Sequence, residues 1–310
     1  MRIALFGQAA FGRDCLDRLL DAGHEIAGVL TPPEAGRPDP LAERARKRDL
    51  PLVQRRHFRK KSGAPIPAAL DDYRALEADL NVLAFVTAIL PPEIVYAPRL
   101  QSICFHPSLL PRFRGGAAVN WQIILGEAES GVSVFAVDEG VDTGPLVVQK
   151  GGIRIDPGDT TGSLYFKKLY PLGVDAIVEA VDAIASGNAR PTPQDESQAT
   201  FQGLVDDSVA GIDLARPAEE IDRLVRGCDP QPGAFVRLKG APLRLFDVQL
   251  EPDVKGEPGS VISVDEAGLR IALGSGALRV GRVRGDAGKE SASEFAERSG
   301  LGPGDRVESA

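Results

Sequence analysis

One histidine stands where an acid–base catalyst of an α/β protein is usually found. The chain has only three histidines, and His106 directly follows an apolar run that ends at Phe105. Ligands of open α/β sheets bind beyond the carboxyl ends of the strands, so an imidazole at this position can act as a general acid or base. A structural histidine bonded to backbone is the alternative interpretation.

A second group with suitable chemistry is the carboxylate of Asp142. It lies in an acidic, glycine-rich turn, residues 138–144, that follows a later apolar stretch. A carboxylate beside an imidazole orients the ring and raises its pKa, which acyl-type transfer uses. An ordinary acidic turn is the structural alternative, and the residue types do not imply a metal.

Cys104 precedes His106 by two residues, so on a strand both side chains point to the same face. A cysteine–histidine nucleophile pair is therefore conceivable, although a free cysteine is also simply a small apolar core residue. The chain has three cysteines. This odd number, without metal-ligand spacing, predicts neither a disulfide framework nor a zinc site, and a reducing cytoplasm is expected.

The elements that must position these groups alternate between strand and helix patterns. The opening strand–helix–strand pattern over Arg2–Leu30 predicts a βαβ unit and a parallel-rich sheet. Further strands are expected over Leu80–Phe85, Ser102–Phe105, Gly131–Val137 and Val147–Ile155. The sequence thus predicts an α/β, Rossmann-like domain, and the proline-containing stretch Ala189–Gln194 is the best linker after it.

A different pattern follows this linker. Short strand-like stretches separated by glycine-rich turns predict a small β-barrel. The predicted strands are Ala234–Leu238, Leu243–Val248, Ser260–Val264, Leu269–Leu273 and Ala277–Val283.

Length and composition are consistent with two globular domains. The chain has 310 residues, of which 43% are hydrophobic and 26% charged, which is ordinary globular usage. No apolar run approaches the roughly 18–20 residues that span a bilayer. The first residues form a predicted strand rather than a signal peptide, so we expect a cytoplasmic protein without a membrane partner.

The charge distribution disfavours an extended nucleic-acid surface. The net charge is -8, yet residues 43–61 contain nine basic and two acidic residues. From Phe201 onward there are 14 basic and 19 acidic residues. Because neutralisation of phosphates dominates nucleic-acid affinity, an acidic C-terminal third argues against such a partner. The basic segment either meets an anion or is a solvated surface.

The residues from His106 to Gly115, followed by Asp142-Thr143-Gly144, resemble the folate-dependent formyltransferase superfamily. The similarity extends over nearly the whole chain and includes Asn120-Trp121 and Pro217-Ala218-Glu219. Within the superfamily, the chain is most similar to the N-terminal hydrolase domain of 10-formyltetrahydrofolate dehydrogenases.

This resemblance implies a catalytic domain over residues 1–203 and an OB-like β-barrel domain over residues 204–310. It also implies 10-formyltetrahydrofolate as co-substrate, no metal, and His106 and Asp142 as catalytic residues. The implied folate-binding residues are Phe85, Ala88, Ile89, Leu90, Val137, Asp138, Gly140 and Val141. The implied substrate loop contains Ser108, Leu109, Leu110, Pro111, Arg114 and Gly115.

Cys104 departs from the pattern of the superfamily. Most of its transferases have asparagine two residues before the histidine, where the amide helps to hold the formyl oxygen. Loss of such a donor costs about 2.7–4 kcal/mol of transition-state stabilisation when nothing replaces it. The resemblance therefore implies slower or different chemistry, in which Cys104 is a poor substitute.

Three functions remain open at this stage. The first is removal of the formyl group of 10-formyltetrahydrofolate, with water or a small amine as acceptor. The second is methionyl-tRNA formyltransferase activity, in which residues 43–61 and the barrel would contact tRNA; the acidic C-terminal third disfavours it. The third is a folate-binding protein with weak catalysis. The oligomeric state is not determined by these patterns.

Overall fold

A computed structural model describes all 310 residues, which form two compact units. The first unit consists of residues 1–115, 131–153 and 167–201, and the second of residues 116–130, 154–166 and 202–310. Two stretches that precede residue 203 thus group with the C-terminal unit. The division of the chain at residue 203 stays a prediction.

The first sheet has seven strands in the order β3-β2-β1-β4-β5-β6-β7. Strands β1 to β5 pair in parallel, and β6 pairs antiparallel to β5. This arrangement confirms the predicted α/β class with a parallel-rich sheet. The strands are β1 (Arg2–Phe6), β2 (Glu25–Thr31), β3 (Leu52–Gln54), β4 (Leu80–Leu83), β5 (Ser102–His106), β6 (Glu129–Ala136) and β7 (Leu146–Arg154).

Helices connect these strands. They are α1 (Ala9–Asp21), α2 (Pro40–Lys47), α3 (Pro67–Arg74), α4 (Pro92–Val95) and α5 (Ala118–Ile124). Helix α2 begins at a carboxylate cap, since the side chain of Asp39 accepts from the backbone N–H groups of Leu41 and Ala42. Leu41 also packs against α1, where a Cβ on Gly12 would lie 2.8 Å from its Cδ2. A larger residue at position 12 would therefore require the Leu41 side chain to shift.

A further helical stretch follows β7. Its parts are α6 (Thr161–Leu164), a π-helical turn (Tyr165–Leu169) and α7 (Tyr170–Ala185). Thr160 caps α6 and forms a capping box with Ser163. Pro171 lies in the first turn of α7, directly after the π-helical turn.

The second unit contains a six-stranded antiparallel sheet in the order β10-β11-β12-β9-β8, with β13 paired to β12. Its strands are β8 (Phe235–Leu238), β9 (Ala241–Glu251), β10 (Val261–Asp265), β11 (Gly268–Ala272), β12 (Ala277–Gly285) and β13 (Gly288–Ser291). Its last helices are α8 (Asp207–Ala210), α9 (Ala218–Gly227) and α10 (Ala292–Ser299). The five predicted strands match β8 to β12, whereas β13 and α10 were not predicted.

The C-terminal residues of the chain bond to both ends of this strand order. Glu308 and Arg237 of β8 exchange two backbone hydrogen bonds, of 2.8 and 2.9 Å. Val261 of β10 donates to the carbonyl of Asp305 and accepts from Gly304. Both edge strands of the sheet are thus covered by residues 304–308.

None of the helices combines the length and apolar composition that crossing a membrane requires.

Candidate active site

His106 is the last residue of β5, at the carboxyl end of the strand, and its side chain is buried. Its Nε2 lies 2.7 Å from the carbonyl oxygen of Phe113. Its Nδ1 lies 3.5 Å from Oδ2 of Asp142. The structure therefore brings together the histidine and the aspartate that the sequence singled out, although 36 residues separate them in the chain.

Both partners of the imidazole are oxygens that only accept hydrogen bonds. The carbonyl of Phe113 can bind Nε2 only when that nitrogen carries a proton. A neutral ring of this tautomer presents an unprotonated Nδ1 to Asp142, whereas a ring protonated on both nitrogens donates to both oxygens. The surroundings of His106 thus accommodate the imidazolium form, which is the form that donates a proton or stabilises an oxyanion.

Asp142 is held by backbone on the turn after β6. Its Oδ2 accepts from the N–H of Gly115 at 2.8 Å, while Oδ1 accepts no hydrogen bond from the protein. Its φ angle is +56°, in the left-handed region that non-glycine residues rarely adopt. One carboxylate oxygen is therefore engaged with the protein, and the other is free to bind a substrate atom.

Cys104 lies partly buried on the same strand, and its thiol donates toward the carbonyl of Phe105 at 3.5 Å. Burial, and secondarily the negative charge of Asp142, raises the pKa of the Cys104 thiol. Because the thiolate is the nucleophile, a raised pKa weighs against nucleophilic catalysis by this residue. No three His, Cys, Asp or Glu side chains are grouped so that they could hold a metal.

The thiols offer a direct test of this environment. Burial raises the pKa of Cys15 and Cys104, and raises that of Cys228 to about 12. In the folded protein at pH 8, we expect all three to react with a disulfide reagent far more slowly than an exposed thiol of pKa about 8.5. All three should react after unfolding. A fast thiol that disappears in Cys104→Ala would contradict this account and favour a nucleophilic Cys104.

The predicted substrate loop, residues 108–115, is fixed by hydrogen bonds and an ion pair. Ser108 donates to the carbonyl of Arg112 at 2.7 Å, and Gln149 donates to the carbonyl of Leu110 at 2.9 Å. The guanidinium of Arg114 is buried and pairs with Glu196 at 2.6 Å. The side chains of Ser108 and Arg114 therefore support the loop from inside the protein, and contact of the loop with substrate stays a prediction.

A cavity of about 640 Å³ opens beyond the carboxyl ends of β1, β2 and β4. Its lining includes Gly7 after β1, Thr31 of β2 and the segment Phe85–Ile89 after β4. Three of the predicted folate-binding residues, Phe85, Ala88 and Ile89, thus lie on one cavity wall. Because β4 and β5 are adjacent in the sheet, this wall follows the strand next to the one that carries His106.

The other predicted folate-binding residues do not line this cavity. Leu90 is buried in a core cluster, and Val137 packs against that same cluster. Asp138 accepts from Thr143 at 2.6 Å and from the backbone of Gly140. Val141 is exposed. Their contact with folate stays a prediction.

The basic segment 43–61 divides into two parts with different surroundings. In the first part, all cations except Lys47 are paired with carboxylates: Arg44 and Arg48 with Asp17, Arg46 with Glu34, and Arg55, at the cavity edge, with Asp72. The second part lines the cavity and forms no ion pair; it consists of Arg56, Arg59, Lys60 and Lys61. The cavity thus has an apolar part, which includes Phe85 and Ile89, and a strongly cationic part.

One residue of the site was missed in the sequence. Gln194 ends the stretch that was expected to be a linker, but its amide donates to the carbonyls of Asp142 and Gly144 at 2.9 and 2.7 Å. Thr192 of the same stretch pairs with Leu146 of β7. These contacts correct the prediction of a free linker, because this segment packs within the first unit.

Residues 1–181 match the family model described as formyl transferase, and residues 205–300 match that of the formyl transferase C-terminal domain. The chain therefore belongs to the folate-dependent formyltransferase family.

Two curated relatives have similar identity to the chain but different coverage. Mitochondrial 10-formyltetrahydrofolate dehydrogenase of Mus musculus is 39% identical over 272 residues, which cover 87% of this chain and 29% of that protein. Methionyl-tRNA formyltransferase of Stutzerimonas stutzeri (strain A1501) is 39% identical over 296 residues, which cover 93% of this chain and 91% of that protein. The chain thus spans less than a third of the dehydrogenase.

Among solved structures, HypX from Aquifex aeolicus in complex with tetrahydrofolic acid superimposes with a TM-score of 0.72 at 20% identity. The superposition covers 96% of this chain and 47% of HypX. At this identity the similarity supports the fold alone.

Proposed function

We propose that the protein removes the formyl group of 10-formyltetrahydrofolate and passes it to water or to a small amine. The observation that carries this proposal is the buried His106–Asp142 pair, whose Nδ1–Oδ2 distance is 3.5 Å, at the carboxyl end of β5. Family membership supports folate as the formyl donor. The relatives that carry 10-formyltetrahydrofolate in their names support the same substrate class.

The chemistry requires three things of the site. The formyl group on N10 is an amide, so its carbonyl must be attacked, its developing oxyanion stabilised and its leaving nitrogen protonated. A His106 ring protonated on both nitrogens can donate to the oxyanion or to N10, with the carbonyl of Phe113 as its partner before substrate binds. One donor thereby acts on the atoms where charge develops.

Asp142 supplies the complementary base. Its Oδ2 faces His106 and the N–H of Gly115. Its Oδ1 is free, and the side chain is 17% exposed. An attacking water or amine can therefore donate its proton to Oδ1, while Oδ2 keeps the imidazole oriented. In this mechanism the Cys104 side chain occupies space but supplies no strong hydrogen-bond donor to the formyl oxygen.

The cavity fits the remainder of a folate molecule. Its volume of about 640 Å³ lies in the usual range for cofactor-sized ligands. Phe85 and Ile89 are large exposed apolar side chains on its wall, suited to a ring system. The four unpaired cations of segment 56–61 complement the two carboxylates of the glutamate moiety. We propose that the ring system binds beside Phe85–Ile89 and the glutamate near this segment.

Reversing two of these charges should weaken folate binding without affecting the chemical step. For Lys60→Glu with Lys61→Glu, we expect KM to rise about tenfold, since about 1.4 kcal/mol of attraction is lost, with kcat unchanged. The effect should shrink as salt is raised. The matched control is Lys47→Glu, an exposed lysine of α2 outside the cavity. Equal KM values for the double variant and the control would contradict this binding mode.

The products of the reaction identify the acceptor of the formyl group. Formate released from 10-formyltetrahydrofolate without added amine would support hydrolysis. Turnover that starts only when small amines are supplied would support transfer to them. Turnover that starts only with charged initiator tRNA would replace the proposal by the second candidate.

Methionyl-tRNA formyltransferase is that second candidate, because the match to the relative of this name extends over 91% of that relative's length. Two observations weigh against it. The C-terminal third is acidic, with 14 basic and 19 acidic residues from Phe201 onward. Four arginines of the basic segment are already paired with carboxylates. Tight, salt-dependent binding of tRNA would favour this candidate.

We also propose that the second sheet closes into an OB-like barrel. The support for closure is that residues 304–308 hydrogen-bond to both of its edge strands, β8 and β10.

A further inference from the structure

A short segment, residues 194–200, hydrogen-bonds both to the turn that carries Asp142 and to the loop that follows His106; we call it the clamp segment. At one end, Gln194 Nε2 donates to the carbonyl oxygens of Asp142 and Gly144, at 2.9 and 2.7 Å. At the other end, Thr200 accepts from the N–H of Phe113 through Oγ1 at 2.8 Å. The clamp segment thus connects the Asp142 turn to the loop that follows His106.

Both the nitrogen and the oxygen of the Gln194 side-chain amide form hydrogen bonds. Its two N–H groups face two carbonyls, and its Oε1 accepts from Arg114 Nη2 at 2.8 Å and Nε at 3.2 Å. Carbonyls only accept and a guanidinium only donates, so the orientation of this amide is determined by its partners. Arg114 is 7% exposed, and two more of its N–H groups pair with Glu196 of the same segment.

The two residues held by the clamp segment are the same two that contact the imidazole. Asp142 faces Nδ1 of His106, and the carbonyl of Phe113 binds its Nε2. Both residues have left-handed φ angles, +56° for Asp142 and +61° for Phe113. Non-glycine residues persist in this region where surrounding contacts over-determine them. The hydrogen bonds from Gln194 and Thr200 are such contacts.

We propose that Gln194 is a positioning residue of the active site, which fixes the Asp142 turn relative to His106 through its two donated hydrogen bonds. As far as catalysis is concerned, this inference rests on the proposed function. Gln194 itself touches no substrate in this account. Its role is to keep the carboxylate at the distance from which it orients the ring.

The variants separate the donors of Gln194 from its acceptor. Gln194→Met removes both, whereas Gln194→Glu keeps an oxygen for Arg114 and loses the donors to the two carbonyls. We expect kcat to fall about 100-fold in both variants, the effect of a misplaced catalytic group, with KM for the folate within about twofold. The matched control is Gln198→Met, because the exposed Gln198 side chain bonds only to Asp195.

A second readout does not depend on activity. The three histidines allow the His106 ring proton resonances to be assigned by comparison with His106→Gln. In Gln194→Met and Gln194→Glu, we expect the His106 resonance to shift toward its position in Asp142→Asn, and in Gln198→Met to coincide with the wild type. Melting temperatures establish that each variant is folded.

The outcomes are distinct. Wild-type kcat or an unmoved His106 resonance in Gln194→Glu would overturn the proposal, because that variant keeps the partner of Arg114. Equal losses in Gln194→Met and Gln198→Met would also overturn it, because the effect would then be general to the segment. If the wild type turns over no formyl folate, the proposed function fails and the resonance alone decides the role of Gln194.

Discussion

Replacing His106 by alanine is expected to lower kcat by about 100- to 10,000-fold, the contribution of a positioned acid–base group. The reason is that the buried imidazole is the only strong proton donor that the structure brings next to Asp142. KM for the folate should change little, since the cavity wall of Phe85–Ile89 and the basic residues are untouched. Steady-state kinetics with 10-formyltetrahydrofolate measure both quantities.

Two controls make the His106→Ala result specific. His57→Ala removes an exposed histidine that lines the cavity, and His24→Ala removes one whose Nε2 pairs with Asp182. Neither side chain contacts Asp142, so kcat should stay close to the wild-type value in both. A kcat for His106→Ala within about threefold of the wild type would contradict the assignment, because general acid–base catalysis contributes at least about 100-fold.

The second large effect is expected for Asp142→Asn. The amide oxygen can still accept the hydrogen bond from the N–H of Gly115, so the turn should keep its conformation. The variant loses the charge that faces His106 and the base that receives the proton of the attacking group. We expect kcat to fall by at least about 100-fold, again with little change in KM.

An Asp142→Asn variant that is folded and has the wild-type kcat would exclude Asp142 as the base.

Cys104 should behave differently from both residues. Because burial and the charge of Asp142 raise the pKa of its thiol, Cys104→Ala is expected to retain kcat within about threefold. Loss of activity as complete as in His106→Ala would instead indicate a nucleophilic cysteine. The same kinetic assay decides this, with the melting temperature as a check on folding.

The main features of fold and site were predictable because they are local in sequence. Apolar runs ending at Phe6, Phe85 and Phe105 predict strands of a parallel-rich sheet, and ligands bind at the carboxyl ends of such strands. His106 follows from this rule. The turn containing Asp142 does not, because it follows β6, which is antiparallel to β5; only the resemblance joins the two residues into one site. Their separation of 3.5 Å is a property of the folded chain only.

Features that depend on distant partners were not predictable. Gln194 lies 52 residues from Asp142 and 80 residues from Arg114, in a proline-containing stretch without periodicity. Likewise, the basic run 43–61 looks uniform in sequence. Its two parts differ because Asp17, Glu34 and Asp72 come from other elements to neutralise the first part.

The most direct test of the central claim is to incubate purified protein with 10-formyltetrahydrofolate and to measure the tetrahydrofolate formed, with water as the only acceptor and then with small amines. The account predicts tetrahydrofolate in at least one of these conditions and none above background with His106→Ala or Asp142→Asn. Folate binding without tetrahydrofolate in any of these conditions, by protein that is folded, would contradict it and leave methionyl-tRNA formyltransferase activity or a folate-binding protein with weak catalysis.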